Sequence, residues 1–274
     1  MTLTIGRISY VNIIPFFHHL ARTGFSESVV DGVPADLNAR IAAGGIDLSP
    51  SSSFEYARNW RDYLLLPSLS ISSRGPVRSV LLFSRLPLET VGTQEIALTA
   101  ESATSVNLLQ ILLKEFCGAK ELDCGVPEVP VEKVIAAGGS ALLIGDRALR
   151  TAGSVAKDML VYDLGELWYR FTGLPFVFAL WIVRRQAFID QSQAVRKFRR
   201  QLEQSLSLAF ADLNGMAADV APEAPLTADE LVRYWRDSMS YDLTAEHLAG
   251  LRLFFALCCK HGLLADEPEL CFAE

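Results

Sequence analysis

The chain has few of the residues that most often bind metals or act as nucleophiles. Its 274 residues include four histidines and five cysteines. No two cysteines stand in C-x-x-C spacing, and the histidines do not have the spacing of a zinc site. A Ser-His-Asp pattern and a Walker-type glycine loop are also absent from the sequence. We therefore expect reduced thiols, no bound metal and no cofactor.

Positive charge is also scarce. Lys and Arg total 25 against 32 for Asp and Glu, which gives a net charge of −7. This balance argues against nucleic acid or an anionic membrane surface as the partner. The amino terminus lacks the basic and apolar segments of a signal peptide, and the longest apolar run, Leu174 to Val183, is about half of the roughly 20 residues that a spanning helix needs. We expect a cytoplasmic protein with no membrane partner.

A repeated pentapeptide gives the first indication of architecture. Ile-Ala-Ala-Gly-Gly occurs at 41–45 and again at 135–139, and each copy precedes a short apolar strand and a polar turn. The glycines are typical of a helix end, so both copies predict the order helix, strand, turn. With half of the residues hydrophobic, the chain is long enough for two α/β lobes. Two similar lobes that face each other would enclose a cleft.

Serine-rich turns precede two predicted helices. Residues 51–53 lead into a helix that begins near Phe54, and the turn 100–105 leads into a helix over 106–116. The first N–H groups of a helix have no partners within the helix and attract anions. Each of these residues can instead be a simple helix N-cap. The residues that the pattern proposes as anion ligands are Ser51, Ser52, Ser102, Thr104 and Ser105.

Other polar residues follow predicted strands or lie in loops. Asn12 follows the first strand, where it either faces the cleft or only stabilises its turn. Gly145 and Asp146 form the turn that follows the second repeat and its strand. Arg74, in the polar loop 68–76, is either a solvated charge or a counter-charge for a bound carboxylate. All four are candidate ligand-binding residues.

Two apolar runs are predicted to connect the lobes. Val80 to Phe83 is too apolar for an exposed linker, and Phe176 to Val183 is predicted to return beside it. Ser84 then lies at or near the hinge. The predicted lobes are residues 1–84 with 184–274, and residues 85–183.

Several segments also resemble a known family closely. The sequence is similar to the chorismate dehydratase family, which belongs to the futalosine route to menaquinone, from Arg7 to about Arg185. The segments that carry this resemblance are Arg7–Asn12 (RISYVN), Ser70–Val77 (SISSRGPV), Ser79–Ser84 (SVLLFS), Leu98–Val106 (LTAESATSV), Leu142–Leu149 (LLIGDRAL), Asp163–Trp168 (DLGELW) and Thr172–Phe176 (TGLPF).

The resemblance implies a type II periplasmic-binding-protein-like α/β fold, with two crossover strands and the ligand between two lobes. It implies a carbon-oxygen lyase that converts the small molecule chorismate to 3-[(1-carboxyvinyl)oxy]benzoate and water. It also implies that Asn12 and Ser84 lie close to the reacting ring, and that the serine-rich turns hold the substrate's anionic groups. The chain would work as a monomer or a homodimer.

Alternatives remain open at this point. The proton acceptor is Asp146, Glu55 or the substrate's own enolpyruvyl carboxylate, and we favour the last. A non-catalytic binding protein for a small aromatic or dicarboxylate anion would have the same fold. The sister enzyme 1,4-dihydroxy-6-naphthoate synthase would be expected to carry a catalytic histidine, for which His18 and His19 are poorly placed.

Overall fold

The computed structural model describes residues 2–274. Its strands are β1 (Thr4–Ile8), β2 (Ser28–Gly32), β3 (Leu48–Ser52), β4 (Tyr63–Ser73), β5 (Val80–Ser84), β6 (Ile96–Ala97), β7 (Cys124–Gly125), β8 (Ser140–Ile144), β9 (Leu160–Asp163), β10 (Phe176–Arg184) and β11 (Ser240–Asp242). Its α-helices are α1 (Ile14–Phe17), α2 (Pro34–Ala42), α3 (Ser53–Asn59), α4 (Leu88–Val91), α5 (Ala103–Ile111), α6 (Val131–Ala136), α7 (Gly145–Ala152), α8 (Leu164–Thr172), α9 (Arg185–Ala211), α10 (Leu213–Val220), α11 (Ala228–Arg233) and α12 (Ala245–Lys260). Short 3-10 turns cover Val11–Ile13, Leu20–Thr23 and Trp60–Asp62, and π-helical turns cover Leu112–Phe116 and Tyr234–Ser238.

The strands form two separate sheets, which define two lobes. The first sheet has the strand order β11-β4-β10-β3-β1-β2, and the second has the order β7-β6-β8-β5-β9. β1 pairs in parallel with β2 and β3, whereas β10 runs antiparallel to β3 and β4. In the second sheet β6 pairs in parallel with β7 and β8, whereas β5 runs antiparallel to β8 and β9. Both sheets are therefore mixed, and helices cover them in an α/β arrangement.

The repeated pentapeptide forms the same helix end in both lobes. After α2, Gly44 has a φ of +79°, and after α6, Gly138 has a φ of +89°, which L side chains rarely adopt. In each copy the first glycine N–H donates to the carbonyl of the repeat's isoleucine, and the second donates to the carbonyl one residue earlier. The strands β3 and β8 follow. The prediction that both copies of the pentapeptide end a helix and precede a strand is therefore confirmed.

The predicted pairing of the two connecting runs is wrong. Val80 to Phe83 pairs with β8 and β9 in the second sheet, whereas Phe176 to Arg184 pairs with β3 and β4 in the first. The chain changes sheets at 74–79 and at 164–175, so these exchanges do not coincide with the predicted lobe bounds at 84 and 183. Both runs are apolar throughout, and such runs fit the buried centre of any sheet.

One buried carboxylate joins the two exchange segments. Asp163 accepts hydrogen bonds from the backbone N–H groups of Val77 (3.1 Å) and Arg78 (2.6 Å) in the first segment. It also accepts from the N–H groups of Gly165 (2.9 Å) and Glu166 (3.1 Å), and thereby caps α8 in the second segment. Asp163 therefore holds the two interlobe connections together.

The helices after β10 belong mainly to the first lobe. α9 packs against α1, and α12 packs against β10. Within residues 2–274, we find no helix of a length and apolarity that would let it cross a membrane.

Candidate functional site

A small cavity lies between the two lobes. Its volume is about 50 Å³, and most of its wall is apolar. The first lobe contributes Ile8, Tyr10, Asn12, Pro34, Ser52, Ile71, Phe178, Ala179 and Met239 to its lining. The exchange segment 74–79 and the second lobe contribute Val77, Ser79, Val80, Ser102, Ser105, Ile144 and Gly145. An apolar wall with a few converging polar groups is typical of a small-molecule site.

Asn12 is the polar group with the clearest unused capacity. It lies in the 3-10 turn Val11–Ile13 that follows β1, and it lines the cavity. Its amide oxygen Oδ1 is buried and has no hydrogen-bond partner among residues 2–274. A buried polar atom without a partner is costly, so it usually marks a place where a ligand or water binds. The predicted position of Asn12 at the cleft is therefore supported.

Two serine-led helix starts face the cavity from opposite lobes. Ser52 Oγ accepts from Glu55 N (3.1 Å) at the start of α3, and Ser102 Oγ accepts from Ser105 N (3.1 Å) at the start of α5. Ser105 Oγ lies 3.0 Å from Ser102 Oγ. Ser52 and Ser102 are N-caps, as the simpler interpretation predicted, and they line the cavity together with Ser105. The two interpretations are thus compatible.

Thr104 and Asp146 bridge the lobes and do not line the cavity. Thr104 Oγ1 accepts from Phe54 N (3.1 Å) across the cleft, and Asp146 Oδ1 accepts from Val11 N (3.0 Å). Asp146 instead lines a wide outer pocket of 710 Å³. Burial raises the pKa of the Asp146 carboxyl. In the structure their polar atoms hold the lobes together, and a contact of either residue with a ligand stays a prediction.

Tyr10 forms the wall between the cavity and the outer pocket, since it lines both. Its hydroxyl donates to Glu101 Oε2 across the cleft (2.6 Å), and Glu101 in turn pairs with Arg147 (2.8 Å). Burial, together with the bond to Glu101, raises the pKa of Tyr10. Tyr10 is therefore a neutral phenol, and it was missed because an aromatic residue in an apolar strand normally predicts core.

Gly145 lies in contact with Tyr10. It has a φ of +59°, and a Cβ at this position would stand 2.7 to 2.8 Å from the Tyr10 ring. Only glycine gives both the conformation and the space. The predicted position of Gly145 at the cleft is supported, and its contribution is the absence of a side chain.

Ser84 lies away from the cavity, contrary to the expectation. Its Oγ pairs with Ser140 Oγ (2.8 Å) and accepts from Leu86 N (3.0 Å). The cavity is lined instead by Ser79 and Val80, at the other end of β5. The two ends of this strand are about 13 Å apart. Ser79 was missed because it and Ser84 flank the same apolar run, so the sequence does not distinguish them.

Three further candidates, Arg74, Ser51 and Glu55, also do not line the cavity. Arg74 is half exposed and pairs with Glu246 (2.6 Å), so it is a surface ion pair. Ser51 is buried beside the cavity residue Ser52 but does not line the cavity, because neighbouring strand residues point to opposite faces. Glu55 is bound by Arg58, Asn59 and Tyr63, and it too lies outside the cavity lining.

The lining therefore has an unusual electrostatic character. Among the described residues that form it, no side chain is a carboxylate, an imidazole, an ammonium or a guanidinium group. Nor does the described part of the chain gather three or more His, Cys, Asp or Glu residues as a metal site would. The cavity offers a ligand neutral hydroxyls, one amide and apolar walls. Such a site can bind, orient and desolvate a ligand.

Comparison with known proteins gives relatives in sequence. A family model described as menaquinone biosynthesis matches residues 3–260. A chorismate dehydratase from Thermus thermophilus is 35% identical over 213 residues, which cover 72% of this chain and 76% of that protein. A chorismate dehydratase from Campylobacter jejuni is 28% identical over 265 residues, which cover 93% of this chain and 97% of that protein.

Comparison with solved structures confirms the fold. A protein from Archaeoglobus fulgidus superimposes with a TM-score of 0.76 at 15% identity, covering 96% of this chain and 98% of that chain. The alkanesulfonate-binding protein from Xanthomonas axonopodis, solved with MOPS bound, has a TM-score of 0.73 at 16% identity and covers 98% and 96%. The expected two-lobed, periplasmic-binding-protein-like fold is therefore confirmed. Identities this low are evidence of fold alone.

Proposed function

The chain belongs to the menaquinone-biosynthesis family, and we propose that it is a chorismate dehydratase within that family. The observation that carries this proposal is the 35% identity to the Thermus thermophilus enzyme over three quarters of that enzyme's length. The neutral cavity between the lobes agrees with it. The reaction would be a carbon-oxygen lyase reaction that converts chorismate to 3-[(1-carboxyvinyl)oxy]benzoate and water.

The chemistry demands little of the protein. The C3–H and C4–O bonds of chorismate break, a C3–C4 double bond forms, and the proton and the hydroxide leave together as water. The product ring is aromatic, so the reaction is strongly favourable. The C3 hydrogen is acidified by conjugation through the ring diene to the ring carboxylate. What remains for the enzyme is to hold one conformation and to bond the leaving hydroxyl.

The cavity groups divide naturally between these tasks. Asn12 and Ser79 are the polar groups that we assign to the reacting part of the ring, and Ser79 takes the role that the sequence had suggested for Ser84. Ser52 and Ser105, from opposite lobes, would hold the two carboxylates. Hydrogen bonds to a charged group contribute about 1.5 to 3 kcal/mol each. A substrate held from both lobes would stabilise the closed arrangement.

The proton acceptor is best supplied by the substrate itself. The described cavity lining includes no basic side chain, and the raised pKa of Tyr10 keeps that phenol protonated. The enolpyruvyl carboxylate, attached at C3 through one ether oxygen, can fold back towards the C3 hydrogen. In a closed cavity from which water is excluded, this carboxylate would be a stronger base than in solution.

Conservative changes of the two protein carboxylates test this mechanism. Asp146→Asn and Glu55→Gln are each expected to keep kcat within about tenfold of wild type, because neither carboxylate lines the cavity and an amide oxygen can still accept a hydrogen bond. Steady-state kinetics with chorismate measures both. A thousandfold fall in kcat with an unchanged KM, in either variant, would identify a protein base and refute the substrate-assisted mechanism.

The two carboxylate-binding serines are expected to affect binding. Ser52→Ala and Ser105→Ala should each raise KM by about tenfold to a hundredfold, because each loses a hydrogen bond to a charged group. Thr227→Ala is the matched control, since Thr227 caps α11 through Glu230 N and lies away from the cavity. It should lose stability and keep its KM. An unchanged KM in both serine variants would show that these hydroxyls are not carboxylate ligands.

The activity itself is tested by mixing the purified protein with chorismate and following the ultraviolet spectrum of a benzoate product. We expect product formation without added metal or cofactor. Tight binding with unchanged chorismate would instead indicate a non-catalytic binding protein. A separate assay, with a substrate other than chorismate, tests the sister synthase, and formation of a naphthoate product there would indicate that activity.

A further inference from the structure

An aromatic segment behind the cavity contacts both of the residues that we assign to the reacting ring. This segment, residues 234–242, follows α11 and consists of the π-helical turn Tyr234–Ser238, Met239 and the strand β11. Its residues Tyr234, Trp235 and Tyr241 are almost completely buried. The sequence analysis placed no candidate site residue in this part of the chain. A π-helical turn frequently marks a functional position, because it shifts side chains out of the regular helical spacing.

Each of the three aromatic residues donates a hydrogen bond to a residue that lines the cavity or directly precedes one that does. Tyr241 OH donates to the backbone carbonyl of Asn12 (2.9 Å), and Trp235 Nε1 donates to the carbonyl of Val11 (2.8 Å). Tyr234 OH donates to Ser79 Oγ (2.8 Å). The first two bonds hold backbone, whereas the third reaches a side chain that lines the cavity.

The bond from Tyr234 determines what Ser79 can do. A serine hydroxyl has one hydrogen to donate and an oxygen that accepts. The oxygen already accepts from Tyr234. The hydrogen has Val77 O within reach at 3.4 Å, which is well beyond the 2.5 to 3.0 Å of a good O–H···O bond. The Ser79 hydrogen is therefore available to a ligand oxygen in the cavity.

Tyr234 itself is a dependable donor. Its side chain is fully buried, and burial raises the pKa of its phenol. Without Tyr234 the Ser79 oxygen would lose this donor, and the Ser79 hydroxyl, left with only the long 3.4 Å contact to Val77 O, would rotate among several positions.

We propose that Tyr234 is a positioning residue, which orients the Ser79 hydroxyl so that it donates its hydrogen to an oxygen of the bound substrate. This rests on the proposed dehydratase function and extends it, because it assigns a part in the reaction to the carboxy-terminal part of the chain. The oxygen is that of the leaving C4 hydroxyl or of a carboxylate.

Tyr234→Phe removes this bond and leaves the ring in place. We expect kcat to fall by about tenfold to a hundredfold, while KM changes by less than about threefold, because the orientation matters most where charge develops. Tyr56→Phe is the matched control: Tyr56 is also buried, and its hydroxyl donates to Glu269 O (2.6 Å) away from the cavity. The control should lose stability and keep its kcat.

A double-variant cycle separates positioning from a general structural effect. If Tyr234 acts through Ser79, then Ser79→Ala lowers kcat, and adding Tyr234→Phe to Ser79→Ala lowers it no further. Independent, multiplying effects would overturn the proposal, as would a normal kcat in Tyr234→Phe. If Tyr234→Phe does not fold, a normal kcat in Ser79→Ala alone overturns it. A wild-type protein that leaves chorismate unchanged would refute the proposed function instead.

Discussion

Replacement of Asn12 by Ala is expected to lower kcat by about a hundredfold to a thousandfold, the effect typical of removing one preorganised polar group that stabilises a transition state. Asn12 lines the cavity from the 3-10 turn that follows β1, and its buried Oδ1 has no hydrogen-bond partner among residues 2–274. Its carbonyl is already bound by Tyr241, so the backbone turn is held independently of the side chain. The loss should therefore appear in the reaction and leave the fold intact. Single-turnover formation of the benzoate product measures the effect directly.

The control for this change is another asparagine, one that does not line the cavity. Asn107 donates to Ala103 O (2.8 Å) within α5 and lies outside the cavity lining. Asn107→Ala is expected to keep kcat within about threefold of wild type, as surface or helix-local changes usually do. Similar losses in both variants would mean that activity responds to general destabilisation, and an active Asn12→Ala would remove Asn12 from the reaction.

Replacement of Asp163 by Ala is expected to have the largest effect on stability. The change leaves four backbone N–H groups, from both interlobe connections, without their acceptor. Unsatisfied buried donors cost about 1 to 3 kcal/mol each, and water entering the space will satisfy some of them, so we expect a loss of about 4 kcal/mol in the free energy of unfolding. Urea unfolding, extrapolated linearly to water, gives this number.

Two further variants make the Asp163 result specific. Asp212 is an exposed N-cap that accepts from Gly215 N alone (2.9 Å), so Asp212→Ala should cost only about 1 kcal/mol. Asp163→Asn keeps one acceptor oxygen and should lie between the two. If Asp163→Ala costs no more than Asp212→Ala, the carboxylate does not hold the connections together.

The Asn12 and Asp163 predictions concern the same cavity, because the connection that Asp163 holds leads into the cavity residue Ser79. The connection that Asp163 holds at Val77 and Arg78 leads directly into Ser79, and Arg78 has a strained φ of +62°. Asn12 approaches the same cavity from the other lobe. The residues that we assign to the reacting ring thus come from one hydrogen-bonded turn and one hydrogen-bonded connection, which suits a reaction that depends on holding a conformation.

Local features of this protein were determined by the sequence alone. The serine-led helix starts, the helix ends at the repeated glycines and the apolar strands depend on neighbours within a few residues, and such neighbours are visible in the sequence. The position of Asn12 after the first strand belongs to the same class. Long matching segments, moreover, identified the family, and with it the two-lobed fold.

The choice among similar residues was decided only by the tertiary structure. Ser79 and Ser84 flank one strand, and Ser51 and Ser52 are neighbours, yet in each pair one member lines the cavity. Ser84, which lies away from the cavity, is hydrogen-bonded to Ser140, 56 residues away along the chain. Ser79, which lines the cavity, is hydrogen-bonded to Tyr234, 155 residues away. Strand periodicity tells which residues share a face, but packing between distant segments decides which face and which end meet the other lobe.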